Sequence, residues 1–474
     1  MRQLKLPSKA LLAAALLAGC ATPSERSDSA VLSKDVSWSA ESAGQRASTE
    51  WWKSFGDPNL TELITRALQD NPDMAIAAAR VREARASVTA TDADLLPRLD
   101  AQLAQQDQRI SGETGRNFPG LPRRSSVTSV GVQLSWEIDL WNHAGALSKA
   151  ALNEAYAAGL NEASAKVSLA AEVARTWFAV RLQRENLACL EAEFAARMAE
   201  LAHTENRFKA GIIDGDFVSA AKLAAAQAKA SEADGRRRLG SAENALRVLV
   251  GVPVGVALPA TTINLTGPAT LAIAMPEISA GVPSDLLLNR PDIQAVERQL
   301  DASLAREGAA RTNYYPRLTL IGDAGWQADP ASRIGQGSSG FWSLTPTLTL
   351  PIFEGNRNDA ALEQAQARFD IARGTYRKAV LNAFREVDDA LVDIRELGTQ
   401  ESLAGKVVEA VRERLANAEA RVKAGLANES EVLSARLDLF LARRTLAAYG
   451  WERRQAAVRL AAATGGGWQP TGEK

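Results

Sequence analysis

The sequence predicts a mainly α-helical chain that contributes strands to a membrane β-barrel and is built from two internal repeats. Three observations carry that expectation: motifs that recur at fixed separations, segments in which apolar and polar residues alternate, and two very long helical patterns. Composition agrees, because aromatic residues are only 5 % and Ala, Leu and Val carry the apolar content. Such a mixture suits slender, closely packed helices better than a thick core. Lys plus Arg is 55 and Asp plus Glu is 56, so no net field draws the chain to nucleic acid.

The N-terminus opens with Arg2, Lys5 and Lys9 ahead of the short apolar run Ala10 to Ala18, followed by Gly19-Cys20. A basic start with an apolar run of this length is a secretory signal, too short to span a bilayer. The run Leu17-Ala18-Gly19-Cys20 resembles the lipobox of bacterial lipoproteins, so residues 1–19 are expected to be removed and Cys20 to carry a covalent lipid, including palmitate. With Ala21 in the next position, the same resemblance implies sorting to the outer membrane. Residues 20–50, rich in Ser, Ala, Asp and Glu without periodicity, read as a lipidated tether. With Cys20 lipidated, Cys189 has no disulfide partner and reads as a small buried apolar residue.

The folded body starts at Trp51-Trp52 and divides into a first repeat at 51–250, a connector rich in Pro, Gly, Ala and Thr at 251–283, a second repeat at 284–465 and a tail at 466–474. Asn71-Pro72-Asp73 stands 25 residues before Pro97, and Arg290-Pro291-Asp292 stands 25 before Pro316, counted from proline to proline. Trp136 lies 71 residues before Arg207, which opens Arg-Phe-Lys-Ala-Gly, and Leu350 lies 71 before Arg421, which opens Arg-Val-Lys-Ala-Gly.

Each repeat reads in the same order. A helix comes first, from about Leu60 to Leu96 or from about Asp292 to Tyr314, stopped by a proline that forces extended geometry on its predecessor. Two strands follow, near Arg98 to Gln108 and Val130 to Leu140, or near Arg317 to Gln327 and Trp342 to Ile352. In the second of each pair, residues such as Val130, Val132, Leu134 and Trp136 alternate with Ser129, Gly131, Gln133 and Ser135, the period of a strand with one apolar face. A helix of roughly 100 Å follows, about Ala144 to Ala210 or Asn356 to Ala424, with apolar residues at threes and fours. Gly211 or Gly425 ends it, and a return helix runs from Asp216 to Val250 or from Glu429 to Ala463.

Four strands cannot close a barrel, and an open sheet in lipid leaves its edges unpaired, so strands that enter the membrane require several copies of the chain. Two copies give eight strands with a filled interior, whereas three give twelve and an aqueous lumen, which favours a homotrimer. Antiparallel coiled-coil helix pairs then continue the barrel as a tunnel. By pattern alone, a soluble sheet packed on the helices is the alternative.

With these features the chain resembles the outer-membrane efflux proteins of the TolC and OprM type, in their lipoprotein (NodT-like) branch. The resemblance rests on Trp51-Trp52-Lys53-Ser54-Phe55-Gly56-Asp57-Pro58, on Leu288-Asn289-Arg290-Pro291-Asp292-Ile293, on Trp136-Glu137-Ile138-Asp139-Leu140-Trp141 and on Pro351-Ile352-Phe353-Glu354-Gly355. It implies a trimer with a twelve-stranded barrel and a helical periplasmic tunnel. A periplasmic adaptor would join that duct to an inner-membrane pump, and drugs or other small molecules would pass outward through it. A duct for protein secretion and a non-conducting periplasmic scaffold are the alternatives.

No enzyme is expected, because His143 and His203 are the only histidines and no metal-ligand spacing, nucleotide loop or nucleophile elbow occurs. Apart from the lipid on Cys20, no cofactor is expected. Control of a duct belongs at its periplasmic end, where carboxylates from equivalent helices converge. The resemblance places an acid six positions after the second tip glycine, which is Glu431, while Ser434 and Ala427 stand where some relatives have a second acid and an Arg. Asp214 and Asp216 flank the matching tip of the first repeat. Glu431 also fits a helix start, with Asn428 as cap. Lys209, Arg421 and Lys423, beside Gly211 and Gly425, are candidates for adaptor docking or solvated helix ends.

Overall fold

The computed structural model describes residues 38, 47–111, 113, 123–253, 274–276, 278–281 and 289–469. Cys20, the signal, nearly all of the tether, most of the connector and the end of the tail lie outside the described residues. The elements are α1 (Pro58–Asp70), α2 (Pro72–Ala93), β1 (Arg98–Arg109), β2 (Arg124–Ile138), α3 (His143–Lys209) and α4 (Gly215–Leu249). They continue with α5 (Pro291–Arg311), β3 (Arg317–Ala328), β4 (Gly340–Thr349), α6 (Arg357–Lys423) and α7 (Glu429–Ala463). The repeat is visible in their lengths, since α3 and α6 have 67 residues each and α4 and α7 have 35 each. They form two compact units. One comprises Arg82–Tyr156 and Glu297–Tyr376 and holds the sheet; the other comprises the described residues of Leu32–Val81, Ala157–Val296 and Arg377–Lys474.

Three expected boundaries are corrected, the first being that β2 begins at Arg124 rather than near Val130. The single helix expected from Leu60 to Leu96 is α1 followed by α2, because Pro72 supplies no N–H and Asn71 before it is extended, with ψ 128°. The Asn71 carboxamide then caps α2 by accepting from the Asp73 amide at 2.7 Å. Leu140, Leu350 and Ile352, counted with the alternating strands, lie past the strand ends. After β2 the chain turns through Asn142 in the left-handed region, and the Asp139 carboxylate accepts from the amides of His143 and Gly145 at 2.6 and 2.8 Å, starting α3. Asn356 has the same backbone ahead of α6.

In the helical unit, Trp51, Phe55, Leu60, Leu63 and Ile64 are buried with Trp177 and Phe178. Asp57 caps α1 through the amides of Asn59 and Leu60 while its other oxygen accepts the Trp177 indole N–H at 2.8 Å. The helix pairs are antiparallel: as α3 runs forward through Arg184, Glu191 and Glu205, its partners step back along α4 through Glu243, Arg236 and Lys222. On α6 and α7 the same order runs from Asp393 with Arg459, through Glu401 with Arg453, to Glu419 with Arg436. Alanine and branched aliphatic residues fill the seam, Val408 against Leu439 and Ala442, and Ala418 against Val432 and Ala435. Cys189 in α3 is half-buried rather than buried, and partial desolvation pushes its thiol up.

Repeat symmetry extends to how each return helix is held. Asn71 Nδ2 donates to the carbonyl of Leu249, the last residue of α4, at 2.8 Å. At the equivalent place, Arg290 Nη1 donates to the carbonyl of Ala463, the last residue of α7, at 3.0 Å. The residue before each internal proline thus satisfies a carbonyl that helix geometry leaves without a partner.

Candidate functional site

The sheet is fully antiparallel in the order β1-β2-β3-β4. Its register carries the alternation of every strand onto common faces: Leu99 opposes Leu134, Leu134 opposes Gly322, and Gly322 opposes Leu344. Leu103, Val130 and Trp326 form another lateral row of the same face, and Ala101, Val132, Ala324 and Trp342 a third. Nothing among the described residues covers this apolar face, since Trp342 is 80 %, Leu103 77 % and Leu348 65 % exposed. The alternative of a soluble sheet packed on the helices is therefore set aside. From Val130 to Ile138 the apolar face runs about 26 Å along β2, or about 20 Å once tilted by about 40°, the order of the apolar band of an outer-membrane barrel.

The opposite face carries Gln102, Gln133, Ser135, Thr319, Asp323, Ser343 and Thr345. At the helix end of the strands, the indoles of Trp136 and Trp141 donate to the carbonyls of Leu95 and Pro316 at 3.1 and 2.8 Å, and Trp141 packs on Tyr315. Tryptophan at this height suits the boundary between apolar and polar surroundings. His143 sits nearby at the start of α3, half-buried, with Nδ1 2.7 Å from Thr312 Oγ1 and 3.1 Å from the carbonyl oxygen of Ala309. His203 is exposed on α3.

The other candidate region lies at the hairpin tips of the helical unit. Gly211, with φ 68°, ends α3, its amide donating to Phe208 O while the Ile212 amide donates to Arg207 O. Gly425, with φ 75°, ends α6 by the same pair of bonds, to Val422 O and from Leu426 to Arg421 O. This is the left-handed glycine cap that the recurring Lys-Ala-Gly spacing predicts. Lys209, Arg421 and Lys423 are exposed beside these glycines, and Asp214 and Asp216 are exposed at the start of α4, where Asp214 makes no side-chain capping bond.

Of the helix start expected here, the cap forms and the acid turns elsewhere. Asn428 does cap α7, accepting from the amides of Ser430 and Glu431. The Glu431 carboxylate instead accepts from Arg421 Nη1 at 3.0 Å, across the tip. Sequence spacing alone did not reveal this pair, because the turn brings together residues ten apart on different helices. Arg421 thus supplies an intrachain cation to Glu431 where Ala427 offers none. An open groove of about 560 Å³ beside the pair is lined by Glu413, Arg414, Asn417, Arg421, Ser430 and Ser434 among others. Among the described residues no group of three or more His, Cys, Asp or Glu is placed to hold a metal ion.

A strand face made for lipid, long paired helices and glycine-capped tips agree with one family model, described as outer membrane efflux protein, which matches residues 63–252 and 282–466. The chain belongs to the outer membrane efflux protein family. It is 33 % identical to the outer membrane protein OprJ of Pseudomonas aeruginosa over 99 % of this chain and 97 % of that one. It is 32 % identical to the solvent efflux pump outer membrane protein SrpC of Pseudomonas putida, covering 87 % and 86 %. The open-state structure of the Neisseria gonorrhoeae MtrE outer membrane channel superposes with a TM-score of 0.79 at 28 % identity, over 91 % of this chain and 95 % of that one. As an outer membrane efflux protein the chain is placed in the outer membrane, as the exit channel of an efflux system, and its four-stranded sheet and helix pairs are the protomer's share of the family's barrel and tunnel.

Proposed function

We propose that three copies of this efflux protein close one twelve-stranded barrel and conduct small molecules passively outward, taking them through a periplasmic adaptor from an inner-membrane pump. The observation that carries this reading is the sheet. Its outer strands, β1 and β4, each keep one edge unpaired among the described residues, while one face is apolar and exposed. Neither edge can stay open in lipid, and joining β4 of each copy to β1 of the next removes both. Twelve strands also leave the aqueous lumen that a conduit needs, where eight would be filled by side chains. Cargo of the drug and solvent kind fits a wall whose inner face is polar and carries little net charge.

In the same reading a lipid on Cys20 tethers the chain to the outer membrane, and Glu431, Asp214 and Asp216 edge the periplasmic aperture. Lys209, Arg421 and Lys423, beside Gly211 and Gly425, face the adaptor. Ile212, Phe217 and Leu426 at these tips are 63 %, 60 % and 73 % exposed, and apolar residues so placed support a protein-docking end. Native mass spectrometry of the mature protein in detergent tests the assembly. A trimer whose subunits carry added acyl mass at Cys20 is expected, and a stable, non-conducting monomer overturns the reading.

A further inference from the structure

We infer that Asp323 sets a cation preference inside the barrel, a specificity element separate from the helix tips; this rests on the trimeric channel reading. The register places Asp100, Gln133, Asp323 and Ser343 opposite one another on successive strands, so each of the four strands gives one residue to a single lateral row of the polar face. The row is hydrogen-bonded across the sheet. Gln133 Nε2 donates to Asp323 Oδ1 at 3.0 Å, Ser343 Oγ donates to Asp323 Oδ2 at 3.3 Å, and Gln102 Nε2 donates diagonally to Gln133 Oε1 at 2.9 Å.

The two carboxylates of the row differ in charge balance. Asp100 is paired with Arg98 at 2.9 Å. Both oxygens of Asp323 accept from neutral groups, and no cation among the described residues pairs with it. The other charges of that face, Arg98, Glu137 and Arg317, sit at the helix end of the strands. Each chain therefore leaves one uncompensated negative charge part-way up the wall, fixed in position by two donors from neighbouring strands.

The apolar face must meet lipid, so the Asp323 face meets the lumen. In a trimer three equivalent carboxylates then stand at one height. Strands spaced about 4.8 Å apart and tilted about 40° put a twelve-stranded wall about 12 Å from the axis, and the side chains about 10 Å from it. Three charges at that distance, screened by 0.1 M salt, enrich cations over anions about fourfold at that height.

The test uses the full-length protein in planar bilayers under a tenfold KCl gradient at pH 7, reading the potassium-to-chloride permeability ratio from the reversal potential. Asp323→Asn is expected to lower the ratio by about two- to fourfold, Asp323→Glu to restore it, and Ser343→Ala, which removes a donor but no charge, to leave it unchanged. Ser343→Lys, which neutralises Asp323 from the facing position, is expected to lower the ratio as Asp323→Asn does and provides the same readout should the latter not assemble. Either variant conducting with the wild-type ratio overturns the inference and leaves the channel reading standing. A wild-type protein without conductance overturns both.

Discussion

Removing the Arg290 side chain is expected to loosen the C-terminal turn of α7 far more than the whole fold. Arg290 is 9 % exposed and makes a two-pronged pair with Asp292 at 2.7 and 3.0 Å, a bond to Glu386 at 2.8 Å and a bond to Ala463 O at 3.0 Å. The carboxylates of Asp292 and Glu386 are 43 % and 44 % exposed, so solvent screening limits each pair to about 1 kcal/mol. An unpaired carbonyl at Ala463 adds about 1 kcal/mol. The total, about 3 kcal/mol, corresponds to roughly 150-fold in a local opening equilibrium. Hydrogen exchange of Arg290→Ala in detergent reads that equilibrium at the amides of Thr464, Gly465 and Gly466, which bond back to Leu460, Ala462 and Ala461. Asn71→Ala loses one neutral bond to Leu249 and the cap on Asp73, and its effect on the α4 end is expected to stop at about tenfold. Exchange at 464–466 within threefold of wild type in Arg290→Ala, with helicity intact, would refute the assignment of Arg290 as the latch.

Three further outcomes are expected. Burial opposes ionisation of Asp292, but its bonds to Arg290 overcome that and hold the carboxyl below its usual value, so its contribution is complete above about pH 4 and is lost as pH falls through the lower folded-state value. Exchange at the α7 end should accordingly be flat from pH 5 to 8, after correction for intrinsic rates, and rise only in acid. Leu344→Arg places a cation on the lipid face at a cost of about 2–4 kcal/mol per chain, and should reduce the protein recovered in outer-membrane fractions, whereas Thr345→Arg on the polar face should not. Glu431→Lys replaces the Arg421 pair with a repulsion, and single-channel recordings should show altered gating or cation selectivity; unchanged traces would return Glu431 to being the first-turn acid of α7 alone.

Periodicity made much of the architecture legible. The strands β1 and β3 and the helices α3, α4, α6 and α7 begin and end within two residues of where alternation, threes-and-fours spacing and tip glycines place them. The break at Asn71 was hidden because the apolar pattern continues across it, and only the missing N–H of Pro72 divides the helix. Leu140 and Ile352 keep the strand period although strand pairing has already ended at Ile138 and Thr349. At the candidate sites, the resemblance singles out Glu431 by its distance from Gly425, but nothing along the chain pairs it with Arg421, which lies on the preceding helix.

What the sequence by itself determined is therefore what depends on neighbours along the chain: the duplicated order of elements, the apolar face of each strand and the glycine-capped tips. What only the tertiary structure decided is register and partnership. The row through Gln133, Asp323 and Ser343, and the common latch of Asn71 on Leu249 and Arg290 on Ala463, join residues between 20 and 190 positions apart. Alternation assigns a side chain to a face, but the height at which strands pair is set by the whole ladder of backbone bonds, and that height selects which polar residues meet.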